Sequence, residues 1–310
     1  MRLFTLALLA AALPAAAAVE GTVVNQTTGK PAANSMVTLF RLDQGGMTPV
    51  ETLRTDNQGK FAFEQAAEVA KILQVIFDGV VYSHMLTPGM LSEGMRVEVY
   101  NASSKPGAAQ IEQHMVLLEP AGGQLNVTEA YIFRNDGNRT YNDPDNGTLR
   151  FWLPPAARGI VQVSATSPGG MPVDRSAVQT SDPNVYKVEF PIKPGETRID
   201  LRYLMPLSKD SAYEGKVLHD VTTRLVTPAG VTLASDHVRH IGEEPQTHAN
   251  IYALDAAEFK VAVQGSGTLQ QEAAQTGGEP QIQQIMPKIW DRVPLITALA
   301  FGILALGFVL

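Results

Sequence analysis

The chain has 310 residues, no cysteine, and 24 basic against 31 acidic side chains, for a formal charge of −7. That length suffices for two ordinary domains, and 45% hydrophobic with 18% charged residues is the composition of globular material rather than of disorder. The missing thiols exclude disulfides, thiolate nucleophiles and sulfur-ligated metal centres. No basic stripe is present to displace counterions from a nucleic acid.

Residues 1–18 have the form of a signal peptide. Arg2 supplies the positive start, residues 3–13 are apolar apart from Thr5, and Pro14 leads into four alanines whose small side chains suit signal peptidase. Val19 is the expected first mature residue. An exported address follows, and the absence of Cys does not argue against it.

Residues 19–100 alternate in hydrophobicity with period two, between turns rich in Gly, Asn, Asp and Pro. Gly21-Thr-Val-Val-Asn25 is followed by Thr28-Gly29-Lys30-Pro31, then by Met36-Val37-Thr38-Leu39, then by Thr55-Asp56-Asn57-Gln58-Gly59-Lys60-Phe61-Ala62-Phe63. Asx chemistry and a permissive glycine suit the turns, and Pro31 restarts an extended chain. This ordered set resembles the carboxypeptidase regulatory-like (prealbumin-like) family of small Greek-key sandwiches appended to exported proteins. The resemblance implies an accessory sandwich with no zinc ligands of its own, and no peptidase activity. The expected core is Val37, Leu39, Phe61, Phe63, Val75 and Phe77.

Residues 101–109 are small and polar, with one Pro and one Gly, as suits a linker or a long surface loop. From 110 to 264 the alternation resumes. Leu125, Val127, Glu129, Tyr131 and Phe133 share one strand face, four of the five being apolar. Ile199, Leu201, Tyr203 and Met205 share another, as do Tyr186, Val188, Phe190 and Ile192, and Phe259, Val261 and Val263. Clean alternation means one face on a core and one in water, the habit of antiparallel sandwiches. The region resembles a bacterial Ig-like module. It is either one large sandwich or two small ones divided near Lys209, and the even composition favours one. The fold class expected of the whole chain is all-β: antiparallel Greek-key β-sandwiches in tandem, with a signal peptide and one C-terminal transmembrane helix.

Residues 265–284, rich in Gly, Gln and Glu, suit a flexible stalk. Residues 293–310 carry no charge and would span roughly 27 Å as a helix, just sufficient for a hydrocarbon core. Trp290 and Arg292 stand at its start, so a transmembrane helix is expected over 289–310. A buried core helix is the alternative, since Pro294 and two glycines weaken the segment. With a signal peptide in front, the body lies on the periplasmic or extracellular side. The Ala-rich leader and the family resemblance point to a bacterium.

Candidate chemistry is sparse. His237 and His240, with Asp236 before them and His248 after, are the best metal candidates, but His-x-x-His converges only on a helix or tight turn. Asp143-Pro-Asp-Asn-Gly147 has the oxygen-rich composition of a calcium loop and equally of a hairpin tip. Asn25, Asn101, Asn126, Asn138 and Asn146 begin Asn-x-Ser/Thr triplets, a glycan-acceptor pattern in secreted eukaryotic chains and also ordinary turn chemistry. Of the Gly-x-Ser-x-Gly nucleophile elbow the chain offers only Gly265-Ser266-Gly267, in the stalk, and there is no phosphate-binding glycine motif. No cofactor and no catalytic residue are expected.

The leading expectation is a non-catalytic, membrane-tethered binding or scaffold module of the cell envelope, holding an envelope protein or glycan. The alternative is a carbohydrate-recognition module using exposed aromatics, with Trp152 the candidate, because it alternates against Phe151 and Leu153 and should face away from their core. A third reading, a metal-dependent hydrolase, requires His237, His240 and His248 to meet.

Overall fold

The computed structural model describes residues 19–43, 46–63, 72–86, 94–207 and 212–269. The expected signal peptide, the transmembrane helix and the stalk beyond Leu269 lie outside the described residues. Among the described residues no helix is long and apolar enough to cross a membrane. The 3-10 turn Pro155–Ala157 is their only helical element, and the protein is nearly all β.

The first part of the chain forms β1 (Val19–Asn25), β2 (Lys30–Pro31), β3 (Met36–Asp43), β4 (Gly46–Arg54), β5 (Lys60–Phe63), β6 (Ile72–Phe77), β7 (Val80–Met85) and β8 (Met95–Val99). Strand β1 pairs antiparallel with β2 and β5 and parallel with β8, while β4-β3-β6-β7 is an antiparallel sheet. The two sheets share one core, in which Val37, Leu39, Phe63 and Val75 are fully buried and the Phe61 and Phe63 rings lie 6.0 Å apart. Phe77 packs against that core only in part, at the strand's last position before the Asp78–Gly79 turn. Each such buried side chain contributes about 1.5–3 kcal/mol. The turn into β5 is built by Asp56, whose Oδ1 accepts from the Gln58 and Lys60 amides at 2.8 Å. Gly59 then takes φ +72, and a Cβ there would stand 2.5 Å from the Val23 carbonyl oxygen, so only glycine closes this turn onto β1.

The rest forms β9 (Ala102–Ser103), β10 (Ala109–Ala121), β11 (Gln124–Asn135), β12 (Thr140–Tyr141), β13 (Leu149–Trp152), β14 (Gln162–Thr166), β15 (Val173–Arg175), β16 (Ala177–Gln179), β17 (Val185–Val188), β18 (Gly195–Pro206), β19 (Ala212–Lys216), β20 (Thr223–Thr227), β21 (Thr232–Ala234), β22 (Val238–Glu243), β23 (Asn250–Leu254) and β24 (Glu258–Gln264). Eight strands make one continuous sheet, β15-β14-β18-β11-β10-β20-β23-β22. Facing elements make two separate three-stranded sheets, β13-β17-β16 and β19-β24-β21. The predicted faces are the buried ones: Leu125, Val127, Tyr131, Phe133, Ile199, Leu201, Tyr203, Met205, Phe259, Val261 and Val263 belong to a single core running through both halves. Among the described residues three strand pairs, β1–β8, β9–β12 and β10–β20, are parallel. The alternation pattern does not announce them, because parallel neighbours distant in sequence leave the same period-two trace.

Residues 101–109 do more than connect. Ala102–Ser103 pair with Thr140–Tyr141, and the Thr140 and Asn142 amides donate to the Asn101 and Ser103 carbonyls at 3.0 and 2.9 Å. The Tyr82 hydroxyl donates to the Tyr100 carbonyl at 3.0 Å, accepts from the Tyr100 amide at 3.1 Å, and lies 2.9 Å from the fully buried Thr140 Oγ1. The Lys193 ammonium stands over the Tyr82 ring, 4.8 Å from its centre. Burial, with Arg175 nearby, lowers the Lys193 pKa to about 8. A hydrogen-bonded seam thus fixes the first sandwich-like unit to the second.

The chain leaves β24 along the far end of the β10–β11 hairpin. Gly267 donates to the Pro120 carbonyl at 3.0 Å and Leu269 to Glu119 Oε1 at 2.7 Å. The beginning of the expected stalk is therefore clamped rather than free.

Candidate functional site

The large sheet is continuous across the two halves of the second region, but the layer facing it is broken. Strands β13 and β19 are the edges of the two small sheets, and open clefts lie along this break. One, of about 440 Å³, is lined by Arg150, Trp152, Asp182, Val185, Lys216 and His219, among others. A second, of about 640 Å³, is lined by Trp152, Glu214, Lys216, His237, Glu258 and Lys260, among others. Trp152 and Lys216 belong to both, so the indole is a wall shared by two clefts.

Period-two geometry explains the placement. Leu149, Phe151 and Leu153 are fully buried, Arg150 is exposed and Trp152 is half-buried on the opposite side. Val185, directly opposite Trp152 in the ladder, is only 8% exposed although it lies on that outer side, so the outer face is roofed here. The Gly215 position is set by its partner Phe259: a Cβ there would collide with the Phe259 ring, which lies over the glycine across the strand pair.

The cleft walls are ion pairs. Arg150 Nη2 donates to Asp182 Oδ2 at 2.6 Å, Lys216 to Glu258 Oε1 at 2.6 Å, and Lys260 to Glu214 Oε1 at 2.8 Å. His219 donates through Nε2 to the Arg150 carbonyl at 2.6 Å, capping an edge group of β13. Burial holds the His219 imidazole below its ordinary pKa, so it is neutral at neutral pH.

Behind the cleft lies a buried polar cluster. Glu129 is 4% exposed; its Oε2 accepts from the Tyr131 hydroxyl at 2.9 Å and its Oε1 from the Tyr203 hydroxyl at 2.7 Å. His114 is stacked on Tyr131 with ring centres 4.1 Å apart, its Nε2 3.3 Å from Glu129 Oε2 and its Nδ1 2.9 Å from Thr223 Oγ1. The Tyr203 and Tyr213 hydroxyls lie 3.0 Å apart. Burial first, and the neighbouring Glu129 charge second, push all three tyrosine hydroxyls well above their ordinary pKa. The members come from β10, β11, β18, β19 and β20, so the network ties the two halves where β10 meets β20. The sequence carried the signal, since Glu129 is the one carboxyl group on an otherwise apolar strand face.

His237, His240 and His248 take separate partners. His237 Nδ1 is 3.6 Å from Asp255 Oδ1, both exposed; His240 Nε2 is 3.2 Å from Asn250 Oδ1; and His248 sits in a turn at φ +54. Among the described residues no three His, Cys, Asp or Glu side chains are grouped to hold a metal. Asp143 to Gly147 is a tight turn between β12 and β13, closed by the Gly147 amide donating to the Asp143 carbonyl at 2.8 Å. The Asn146 amide and side chain hold Asp143 below the usual carboxylate range, and Lys187 Nζ donates to the Pro144 and Asp145 carbonyls at 3.0 and 2.7 Å, taking up oxygens a cation would need. Of the Asn-x-Ser/Thr asparagines, Asn25 Nδ2 donates to Asn101 Oδ1 at 2.7 Å and Asn126 Nδ2 to Glu119 Oε2 at 2.9 Å. Neither Tyr131, inside the core, nor Tyr141, in the seam, joins Trp152 at the cleft.

Compared with known proteins, the chain matches no family model and no curated protein sequence.

Proposed function

We propose that this chain is an exported, membrane-tethered binding module of the cell envelope, without catalysis of its own. In this reading residues 1–18 are removed on export, residues 289–310 anchor the protein, and the body lies outside the membrane. The first unit is a carboxypeptidase regulatory-like Greek-key sandwich and the second an Ig-like one, together serving as a spacer and platform.

The observation that carries the reading is the broken second layer. It leaves an open, preformed cleft around a half-buried Trp152 on a body whose parts are fixed by the Tyr82–Thr140 seam. Concave sites with one aromatic wall and a few fixed polar groups suit holding a ligand. The polar cluster with the strongest perturbations is sealed in the core, where it serves packing rather than turnover.

Topology is the direct test. The intact chain should pellet with membranes and be open to protease added outside them. Removing residues 293–310 should release it as an exported soluble protein. Protection of the body on the cytoplasmic side would overturn the assignment.

A further inference from the structure

The two clefts that share Trp152 differ from an ordinary apolar groove in their charge pattern. Three pairs neutralise most of the charged walls, Arg150 with Asp182, Lys216 with Glu258 and Lys260 with Glu214, and Asp236 adds one further carboxylate to the second cleft. Paired charges produce little net field, and the added carboxylate weighs against an anionic ligand. Each pair engages one carboxylate oxygen, leaving acceptor capacity for hydroxyl donors, while Arg150 and Lys216 retain donor capacity. In the middle stands an indole, whose face accepts the C–H side of a pyranose ring. A neutral, many-hydroxyl ligand satisfies all three conditions.

An extended peptide adding to the β13 edge is the competing occupant. It is disfavoured because His219 already donates to the Arg150 carbonyl, which blocks the ladder such a strand would use.

From this geometry we infer that the cleft pair is a binding site for a neutral oligosaccharide, with one sugar unit against Trp152 and its neighbours lying in the clefts on either side. The inference rests on the binding-module reading above and names its ligand class. Trp152 is the platform, Asp182 and Glu258 accept from hydroxyls, and Arg150 and Lys216 donate to them.

The test uses the full chain in a polyoxyethylene detergent, which has no sugar headgroup, with Trp290→Phe so that Trp152 is the only indole. Emission is titrated with cellohexaose, maltohexaose and hexa-N-acetylchitohexaose, and in parallel with a hexagalacturonate and a proline-rich decapeptide. At least one neutral hexasaccharide should give a saturable shift. By calorimetry, Trp152→Ala should weaken that binding at least tenfold, Trp152→Phe less, and Asp182→Asn several-fold. Asp182 lies on an exposed loop, so its variant keeps the test meaningful if Trp152→Ala folds poorly. The assignment is overturned if none of the three neutral sugars moves the emission of the folded protein. It is also overturned if affinity survives both Trp152→Ala and Asp182→Asn, or if only the anionic sugar or the peptide binds. Membrane pelleting and protease access are scored on the cells and membranes from which that preparation is made, before detergent is added. A correctly oriented chain that ignores all three sugars thus rejects the glycan site alone, whereas a cytoplasmic body rejects the envelope reading itself.

Discussion

Replacing Glu129 by leucine probes what joins the two halves of the large sheet. Leucine approximates the volume of the glutamate but accepts nothing. Tyr203 still has the Tyr213 hydroxyl at 3.0 Å, whereas Tyr131 loses its acceptor and His114 Nε2 its neighbour at 3.3 Å. Two orphaned buried groups at about 1–3 kcal/mol each give about 2–6 kcal/mol. Removing the buried carboxyl returns part of that, so a net loss of about 2–4 kcal/mol is expected. For a body of this size that lowers the melting midpoint by about 4–16 °C. Urea unfolding of residues 19–269, followed by the emission of Trp152, measures it directly. The double variant Glu129→Leu, Tyr131→Phe removes the orphaned Tyr131 hydroxyl with its acceptor and leaves the Tyr203–Tyr213 pair in place, so it should recover about half of the loss. A single variant within about 1 kcal/mol of the parent, or a double variant no better than the single, would refute the account of the cluster as a mutually satisfied network.

Other consequences are simpler to check. Phe63→Ala should cost about 3–5 kcal/mol, because the ring is fully buried; a chemical-denaturation loss below about 1 kcal/mol would remove it from the core. Tyr82→Phe should cost about 1–3 kcal/mol in the same assay, since it strips the Tyr100 carbonyl and Thr140 of a buried partner. Stability should also fall in alkali. Tyr131, Tyr203 and Tyr213 have folded-state pKa values raised above the ordinary 10.0, so the native state holds those protons more tightly than the unfolded chain. Their contribution is complete below about pH 10 and is lost as pH rises beyond it. Urea midpoints from pH 8 to 11.5, with tyrosinate absorbance read alongside, should show ionisation of these three only on unfolding. A flat profile would contradict the burial.

Much of the fold was legible because its strands are half-buried. Period two in Ile199 to Met205 or Leu125 to Phe133 assigns each side chain to a face without further knowledge. The outward turn of Trp152 followed from the same rule. Its cleft did not, because Lys216, Glu214 and Glu258 come from the other half, and only the break between β13 and β19 brings them beside it. Glu129 shows the opposite failure. Its inward phase was plain, but a lone carboxyl in an apolar face signals a partner without naming it, and His114, Tyr203 and Tyr213 arrive from three other strands. The residues at 101–109 have the composition of a spacer, and nothing local distinguishes a free spacer from one whose carbonyls are taken by Thr140 and Asn142.

The parallel pairing of β10 with β20 also sets an order of assembly. Strand β10 finds β11 through a two-residue turn, and that hairpin can form within microseconds. Its other edge waits for a strand 109 residues downstream, the separation between His114 and Thr223. Closing so distant a contact is slow, and until it closes the stretch of β10 from His114 to Leu117 offers an unpaired ladder to any passing chain. The last fifty residues of the body therefore act as a cap on the first half. A nascent or truncated chain ending before Thr223 is an open-edged intermediate, exposed to self-association for as long as its missing neighbour is delayed.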